Sequence, residues 1–222
     1  MKVITEIKND YKEKFGIPRQ SGIVTNLSKI IFKKEYRVKE AFSMLELYSH
    51  IWLIWNFSKA ERDNWSPTVR PPKLGGNKRV GVFATRSPFR PNPIGLSCVK
   101  LVKIVTEGEN APYLIVEGAD LMDGTPIYDI KPYIPYADSI PEASCGFAVP
   151  PQNKKDVVFN NNCDKGIPHT IKSELIQILE QDPHPAYKSN EKDYKMTYGS
   201  FHIEFQVSEN EISVTEIKNT DD

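Results

Sequence analysis

The chain has 222 residues, with 39% apolar and 26% charged side chains and a net charge of zero, enough apolar content to build a core and exclude wholesale disorder. Its most apolar run, around Ile51 to Phe57, falls far short of the ~20 residues that cross a bilayer, and no apolar stretch precedes a cleavage site near the N-terminus, so neither a membrane partner nor secretion is expected. Cys98, Cys145 and Cys163 are odd in number and widely spaced, which excludes a disulfide framework or a CxxC metal pair and suits a reducing cytoplasm.

In chain order, Val3 to Lys8 alternates apolar and polar residues as a half-buried strand does. Gly22 to Leu27 and Ile30 to Tyr36 read as a hairpin, and Val38 to Ser49 places Val38, Phe42 and Leu45 at the spacing of a short helix. His50 to Phe57 is aromatic and β-branched without a turn residue, which predicts a buried strand with His50 as a core residue. Arg79 to Thr85, Ile94 to Val105 and Tyr113 to Ala119 are three further strand candidates. The long helices that alternate with strands in a doubly wound sheet are missing, so residues 1–149 are expected to form a β-barrel domain and the fold to be mainly β. Pro150 to Lys165, polar and containing Asn160-Asn161-Asn162, predicts a linker. Residues 166–222 predict a small α+β domain. Its helix spans Thr170 to Gln181, with Ile171, Leu175, Ile178 and Leu179 on one stripe and Asp182-Pro183 at its end. Lys195 to Val207 and Glu211 to Ile217 then form a hairpin turning at Glu209-Asn210.

Neutrality hides an asymmetry. Residues 1–100 carry 19 basic and 8 acidic side chains, and the segment 64–106 holds eight Lys or Arg and no acid. Such a half suits an anionic partner, nucleic acid, nucleotide or carboxylate; the lesser alternative is docking on the acidic half of the same chain. Neither GxGxxG nor a Walker loop occurs, no HExxH or GxSxG is present, and His50, His169, His184 and His202 lack metal-like spacing. No metal is therefore expected. The segment from Arg86 to Gly95 stands out: Pro88, Pro91 and Pro93 stiffen a loop that carries Arg86, Arg90 and Asn92. A guanidinium held on a stiff frame loses less entropy when it grips a carboxylate or phosphate, and Gly95 admits close approach of a ligand to the backbone. A rigid corner with solvated arginines fits the same residues. Asp120 to Tyr133 contains the tight turn Asp123-Gly124-Thr125-Pro126. It reads either as a plain turn or as a ligand wall facing the arginine loop. Pro18 to Gly22 is a third, basic turn.

These segments carry a resemblance. "RPPKLGGNKRVGVFATRSPFRPNPIGLSCVKL" (Arg70 to Leu101) resembles the central signature of the TsaA-like, or TrmO, family, and "DLMDGTPIYDIKPYIPYADSIPEA" (Asp120 to Ala143) its second signature. "YKEKFGIPRQSGIV" (Tyr11 to Val24) is similar to its N-terminal motif and "DPHPAYK" (Asp182 to Lys188) to its C-terminal one. The likeness implies a dimeric β-barrel methyltransferase that uses S-adenosylmethionine to methylate the exocyclic nitrogen of threonylcarbamoyladenosine beside a tRNA anticodon. The cofactor contacts it implies are Arg19, Gln20, Ser21, Gly22, Ile23, Arg86, Leu96, Gly124, Thr125, Pro126 and Ile127, with Arg86 on the methionine carboxylate and the Gly124–Ile127 backbone on the adenine. Ser58 and Lys59 stand where relatives often have His-Gln, and Asn9-Asp10 where they have Ser-Pro. Asp123 or Asp129 is the expected base. Phe89 and Tyr133 would stack on splayed anticodon-loop bases, and Lys73, Lys78, Arg79, Arg90, Asn92 and Lys131 would hold phosphates or the threonyl carboxylate. A non-catalytic RNA- or nucleotide-binding module is the alternative.

Overall fold

Strands that turn alternate apolar residues inward close the first lobe. The computed structural model describes residues 1–60, 64–71, 74–75, 77–148, 154–183 and 193–220. Its strands are β1 (Thr5–Lys8), β2 (Leu27–Phe32), β3 (His50–Asn56), β4 (Thr68–Val69), β5 (Val80–Gly81), β6 (Ile94–Val105), β7 (Tyr113–Glu117), β8 (Pro126–Pro132), β9 (Asp156–Phe159), β10 (Asp193–Tyr198), β11 (Phe201–Val207) and β12 (Glu211–Asn219). Two helices, α1 (Pro135–Asp138) and α2 (His169–Leu179), join them. Six strands in the order β1-β2-β7-β6-β3-β8 form a closed antiparallel barrel. Closure leaves no sheet edge unpaired, and Ile7, Ile30, Ile51, Leu53, Leu114 and Ile127 fill the interior.

The second lobe is a four-stranded sheet, β10-β11-β12-β9, with β9 parallel to β12 and the other pairs antiparallel. Leu175, Ile178 and Leu179 of α2 pack with Met196, Ile203, Phe205 and Val214 of the sheet. Tyr11 and Val24 from the barrel side enter this same core. Tyr11 also makes an isolated antiparallel bridge to Tyr198, with the two rings edge-on at 5.3 Å. The lobes therefore share apolar contacts. No helix among the described residues is long and apolar enough to cross a membrane.

The mainly β architecture is as expected, but five local expectations are corrected. Gly22 to Tyr36 is no hairpin: only Leu27–Phe32 is extended, and its buried alternate residues belong to one strand held between β1 and β7. Val38 to Ser49 is no α-helix: 3₁₀ turns at Lys39–Phe42 and Leu45–Leu47 flank Met44, whose φ of 65° breaks any continuous helix. Burial of Phe42 edge-on against Phe32 accounts for the helix-like spacing. Arg79 to Thr85 extends only over Val80–Gly81 before a 3₁₀ turn. The polar stretch read as a linker contains β9, an edge strand whose half-buried alternation is too weak to show in composition. Lys195 to Val207 is two strands, not one, because Gly199 adopts a φ of 58° and turns the chain between Tyr198 and Phe201.

Candidate active site

The barrel has an open end where β3 finishes at Asn56 and β6 begins at Ile94. Here the register sets Trp55 opposite Gly95. A cleft of about 610 Å³ lies at this end, within the size range of small-molecule sites. Three stretches distant in sequence wall it: the Pro18 to Gln20 turn, the end of β3 with Phe57 and Ser58, and the proline-rich loop leading to Leu96. Asp120 and Thr125 complete it.

A polar chain runs into the wall. The Trp55 Nε1–H donates to Ser97 Oγ at 2.9 Å, and the Ser97 hydroxyl donates to Asp120 Oδ1 at 2.5 Å. Burial pushes the Asp120 carboxyl above its ordinary pKa, opposed by the Ser97 hydroxyl, its own N–H, the Arg86 guanidinium and the Ser21 N–H. Desolvation disfavours the charged form and the donors favour it; here desolvation prevails. A second chain crosses between the lobes. Arg86 Nη1 donates to Gln20 Oε1, Gln20 Nε2 to the Arg19 carbonyl at 2.6 Å, and Arg19 Nη2 to the Asp182 carbonyl at 3.3 Å.

The proline-rich loop is braced from within. Arg90 Nη1 donates to the carbonyls of Thr85 at 2.9 Å and Ser87 at 3.3 Å, while the Phe57 N–H donates to the Pro93 carbonyl at 2.9 Å and the Ile94 N–H to that of Asn92 at 2.8 Å. Arg90 thus locks the loop with one of its nitrogens. Gly95 lines the cleft, and it also makes room for the indole: a Cβ there would lie 2.2 Å from Trp55 Cε2.

Of the residues singled out in the sequence, Arg19, Gln20, Ser58, Lys59, Arg86 and Leu96 line the cleft, as do Phe89, Arg90, Asn92 and Thr125. The carbonyl of Lys59 is held by Lys14 Nζ at 2.6 Å. Others lie elsewhere. Ile23 packs against the second core, and the Gly22 N–H donates to the Gly118 carbonyl at 2.8 Å. The backbone from Gly124 to Ile127 is largely taken by the start of the chain. The Gly124 N–H donates to the Ile7 carbonyl, the Ile7 N–H to that of Thr125 and the Ile4 N–H to that of Ile127, while Pro126 pairs with Glu6. Asp123 accepts from the Asn9 N–H at 3.1 Å and from Lys12 at 3.0 Å. Asp129 pairs with Lys131 at 3.1 Å on the barrel's outside. The carboxylate of the cleft is Asp120, not Asp123 or Asp129. Arg79 bonds Thr68 Oγ1, Tyr133 rests by Trp52 and His50, and His50 is half-buried beside Ser49 rather than in the core. Lys73 lies outside the described residues, as do His184 to Lys188 of the C-terminal motif. Sequence reasoning missed Trp55, Ser97 and Asp120 as a connected set. Their only signal is the register of β3 on β6, which the sequence does not display. Among the described residues no cluster of His, Cys, Asp and Glu is arranged to hold a metal ion.

The chain matches the family model described as the tRNA-methyltransferase O N-terminal domain over residues 6–139 and the TrmO C-terminal domain over residues 157–220. It is 40% identical over 215 residues to the tRNA (adenine(37)-N6)-methyltransferase of Escherichia coli K12, covering 91% of each chain. It is 39% identical over 193 residues to a putative S-adenosylmethionine-dependent methyltransferase, RcsF, of Pseudomonas aeruginosa, covering 83% of this chain and 81% of that one. The crystal structure of TrmO from Pseudomonas aeruginosa superimposes with a TM-score of 0.77 at 30% identity, covering 97% of this chain and 94% of that one.

Proposed function

Because the chain belongs to the TrmO family, whose two domain models span its two lobes, we propose that it is an S-adenosylmethionine-dependent tRNA methyltransferase. Its acceptor is the exocyclic N6 nitrogen of adenine 37 beside the anticodon, in the threonylcarbamoyl-modified form. The observation that carries this reading is convergence: Gln20, Arg86 and Asp120, from three separate signature segments, meet in one cleft. The cleft's size and its mixed wall, an exposed guanidinium beside Trp55, Phe57 and Leu96, suit a ligand with a carboxylate at one end and an aromatic base at the other.

When bound there, S-adenosylmethionine supplies an electrophilic methyl group for the acceptor nitrogen. Arg86, held by Gln20 on the stiff loop, grips the methionine carboxylate. Trp55, Phe57 and Leu96 exclude water and fix the orientation of the two reactants, the largest contribution such a step can draw on. Asp120 takes the proton that the acceptor nitrogen gives up; its raised pKa makes it a stronger proton acceptor than an ordinary carboxylate. The basic segment 64–106 holds the anticodon arm through its phosphates. The reading includes a homodimer, supported by Leu96 and Val102, apolar residues exposed on the outer face of β6, and a cytoplasmic setting, where tRNA is found.

The test is titration calorimetry of the wild type and Arg86→Ala with S-adenosylmethionine, followed by methyl transfer to tRNA with and without the threonylcarbamoyl group. Micromolar binding that Arg86→Ala loses, and transfer confined to the modified tRNA, support the reading. A folded protein that neither binds the cofactor nor methylates tRNA leaves the non-catalytic RNA-binding module in its place.

A further inference from the structure

Trp65 and Phe83 are both exposed, at 49% and 70% of their surface, yet they lie against one another with ring centroids 6.1 Å apart and planes 25° from parallel. They flank the β4–β5 ribbon, one just before it and one just after. The register Thr68↔Gly81 and Val69↔Val80, extended by the Val82 N–H donating to the Pro67 carbonyl at 3.0 Å, holds their backbones side by side. The Ser66 hydroxyl donates to the Thr68 carbonyl at 2.7 Å and Arg79 Nε to Thr68 Oγ1 at 2.8 Å, so the ribbon is braced internally at Thr68. The barrel core encloses neither ring.

Charge identifies the occupant. The pair sits in the segment 64–106, with its eight basic and no acidic residues. The Arg90 guanidinium lies 5.8 Å from the Phe83 centroid, and Arg90 also lines the cleft. The aromatic pair therefore adjoins the cleft through a shared cation. An apolar protein partner would bring nothing to balance these charges, and a second copy could balance them only by presenting its acidic residues 101–222, an outcome that the sedimentation measurement below separates from RNA binding. An unpaired nucleotide offers a flat π face for the rings and a phosphate for the arginines.

We propose that Trp65 and Phe83 form a stacking platform for an unpaired anticodon-loop nucleobase next to the adenine held in the cleft, a role that rests on the methyltransferase reading above. The target base enters the cleft, and its neighbour extends the Trp65–Phe83 stack beneath Arg90. This stacking is indifferent to base identity and contributes affinity and placement rather than sequence choice.

The probe is an anticodon stem-loop RNA with 2-aminopurine replacing, in turn, the nucleotide on each side of the target adenine. Wild-type protein should quench the fluorescence at one of these positions on binding, and Trp65→Ala should abolish the quenching. Trp65→Ala and Phe83→Ala should each weaken stem-loop binding about tenfold, Phe83→Trp should restore it, and affinity for S-adenosylmethionine should not change. Unaltered RNA affinity in both alanine variants overturns the proposal. So does full rescue by Phe83→Leu, which would show apolar packing only. A shift in sedimentation of the alanine variants in place of an RNA effect overturns it in favour of a self-association surface. Methyl transfer by the wild type is read separately: an active wild type with an indifferent Phe83→Ala removes the platform alone, whereas an inactive wild type removes the activity on which it rests.

Discussion

The Trp55 indole occupies the space that a side chain at position 95 would need: a Cβ on Gly95 would lie 2.2 Å from Cε2, 2.4 Å from Cζ2 and 2.5 Å from Cδ2. None of these atoms is at the end of a flexible chain, because Trp55 is 6% exposed and its Nε1–H is bonded to Ser97. The glycine is required for packing, and through Trp55 and Ser97 it governs where the Asp120 carboxylate sits.

Gly95→Ala should accordingly move the indole and break the bond to Ser97. Overpacking of this kind costs about 1–3 kcal/mol, and the lost hydrogen bond adds about 1 kcal/mol. Urea unfolding should register the loss, and calorimetry should show weaker binding of S-adenosylmethionine. Wild-type values in both would mean that the indole moves aside freely and does not shape the cleft.

Asp120→Asn keeps an oxygen to accept from Ser97 and removes the site that takes a proton. With Asp120 as proton acceptor, kcat should fall about 100-fold or more while cofactor affinity changes little. In the wild type, kcat should rise with pH through the raised carboxyl pKa and then level off, because the base works only when ionised; the variant should lack that rise. A variant that keeps wild-type kcat at neutral pH would show that Asp120 only braces Ser97 and Trp55.

Asp123 provides the contrast. Its carboxylate is committed to the Asn9 N–H and to Lys12, tying the Asp123-Gly124 turn to the segment entering the second lobe. Asp123→Ala should lower stability by about 1 kcal/mol, with the loss appearing in the denaturation midpoint rather than in the pH dependence of kcat. A pH profile altered like that of Asp120→Asn would restore Asp123 as a candidate base.

The two aspartates show what the sequence makes legible and what it does not. The aromatic and β-branched run of His50 to Asn56 and the apolar residues from Ile94 announce barrel strands, and the prolines of the Arg86 to Gly95 loop announce a rigid element; both are local properties. The stripe on α2 is local too. The partnership of Trp55 with Gly95 depends on β3–β6 register, set by the closure of all six strands. In the same way, Asp120 and Asp123 are indistinguishable in the string "DLMDG". Only the paths of β7 and β8 turn one into the cleft and the other toward Lys12. β9 is hidden for a related reason: an edge strand pairs through its backbone and needs little apolar character.

Glu174 should make the contact between the lobes sensitive to pH, because the Leu27 N–H of the barrel reaches it. It lies on α2 and accepts from the Tyr198 hydroxyl at 2.8 Å. Burial raises its pKa and the neighbouring Asp10 raises it further, against the lowering influence of Tyr198 and the Leu27 N–H. A carboxyl whose pKa is raised on folding binds its proton more tightly in the folded state. Its contribution to stability is complete below the ordinary carboxylate pKa and is lost as pH rises through the raised value. Glu174→Gln, which stays neutral and can still accept from Tyr198, should remove this loss. The urea midpoint of the wild type should fall, relative to that of the variant, as pH increases from the ordinary carboxylate range toward neutrality. Parallel curves for the two proteins would show that Glu174 titrates alike in the folded and unfolded chain and that other groups set the pH response of the interface.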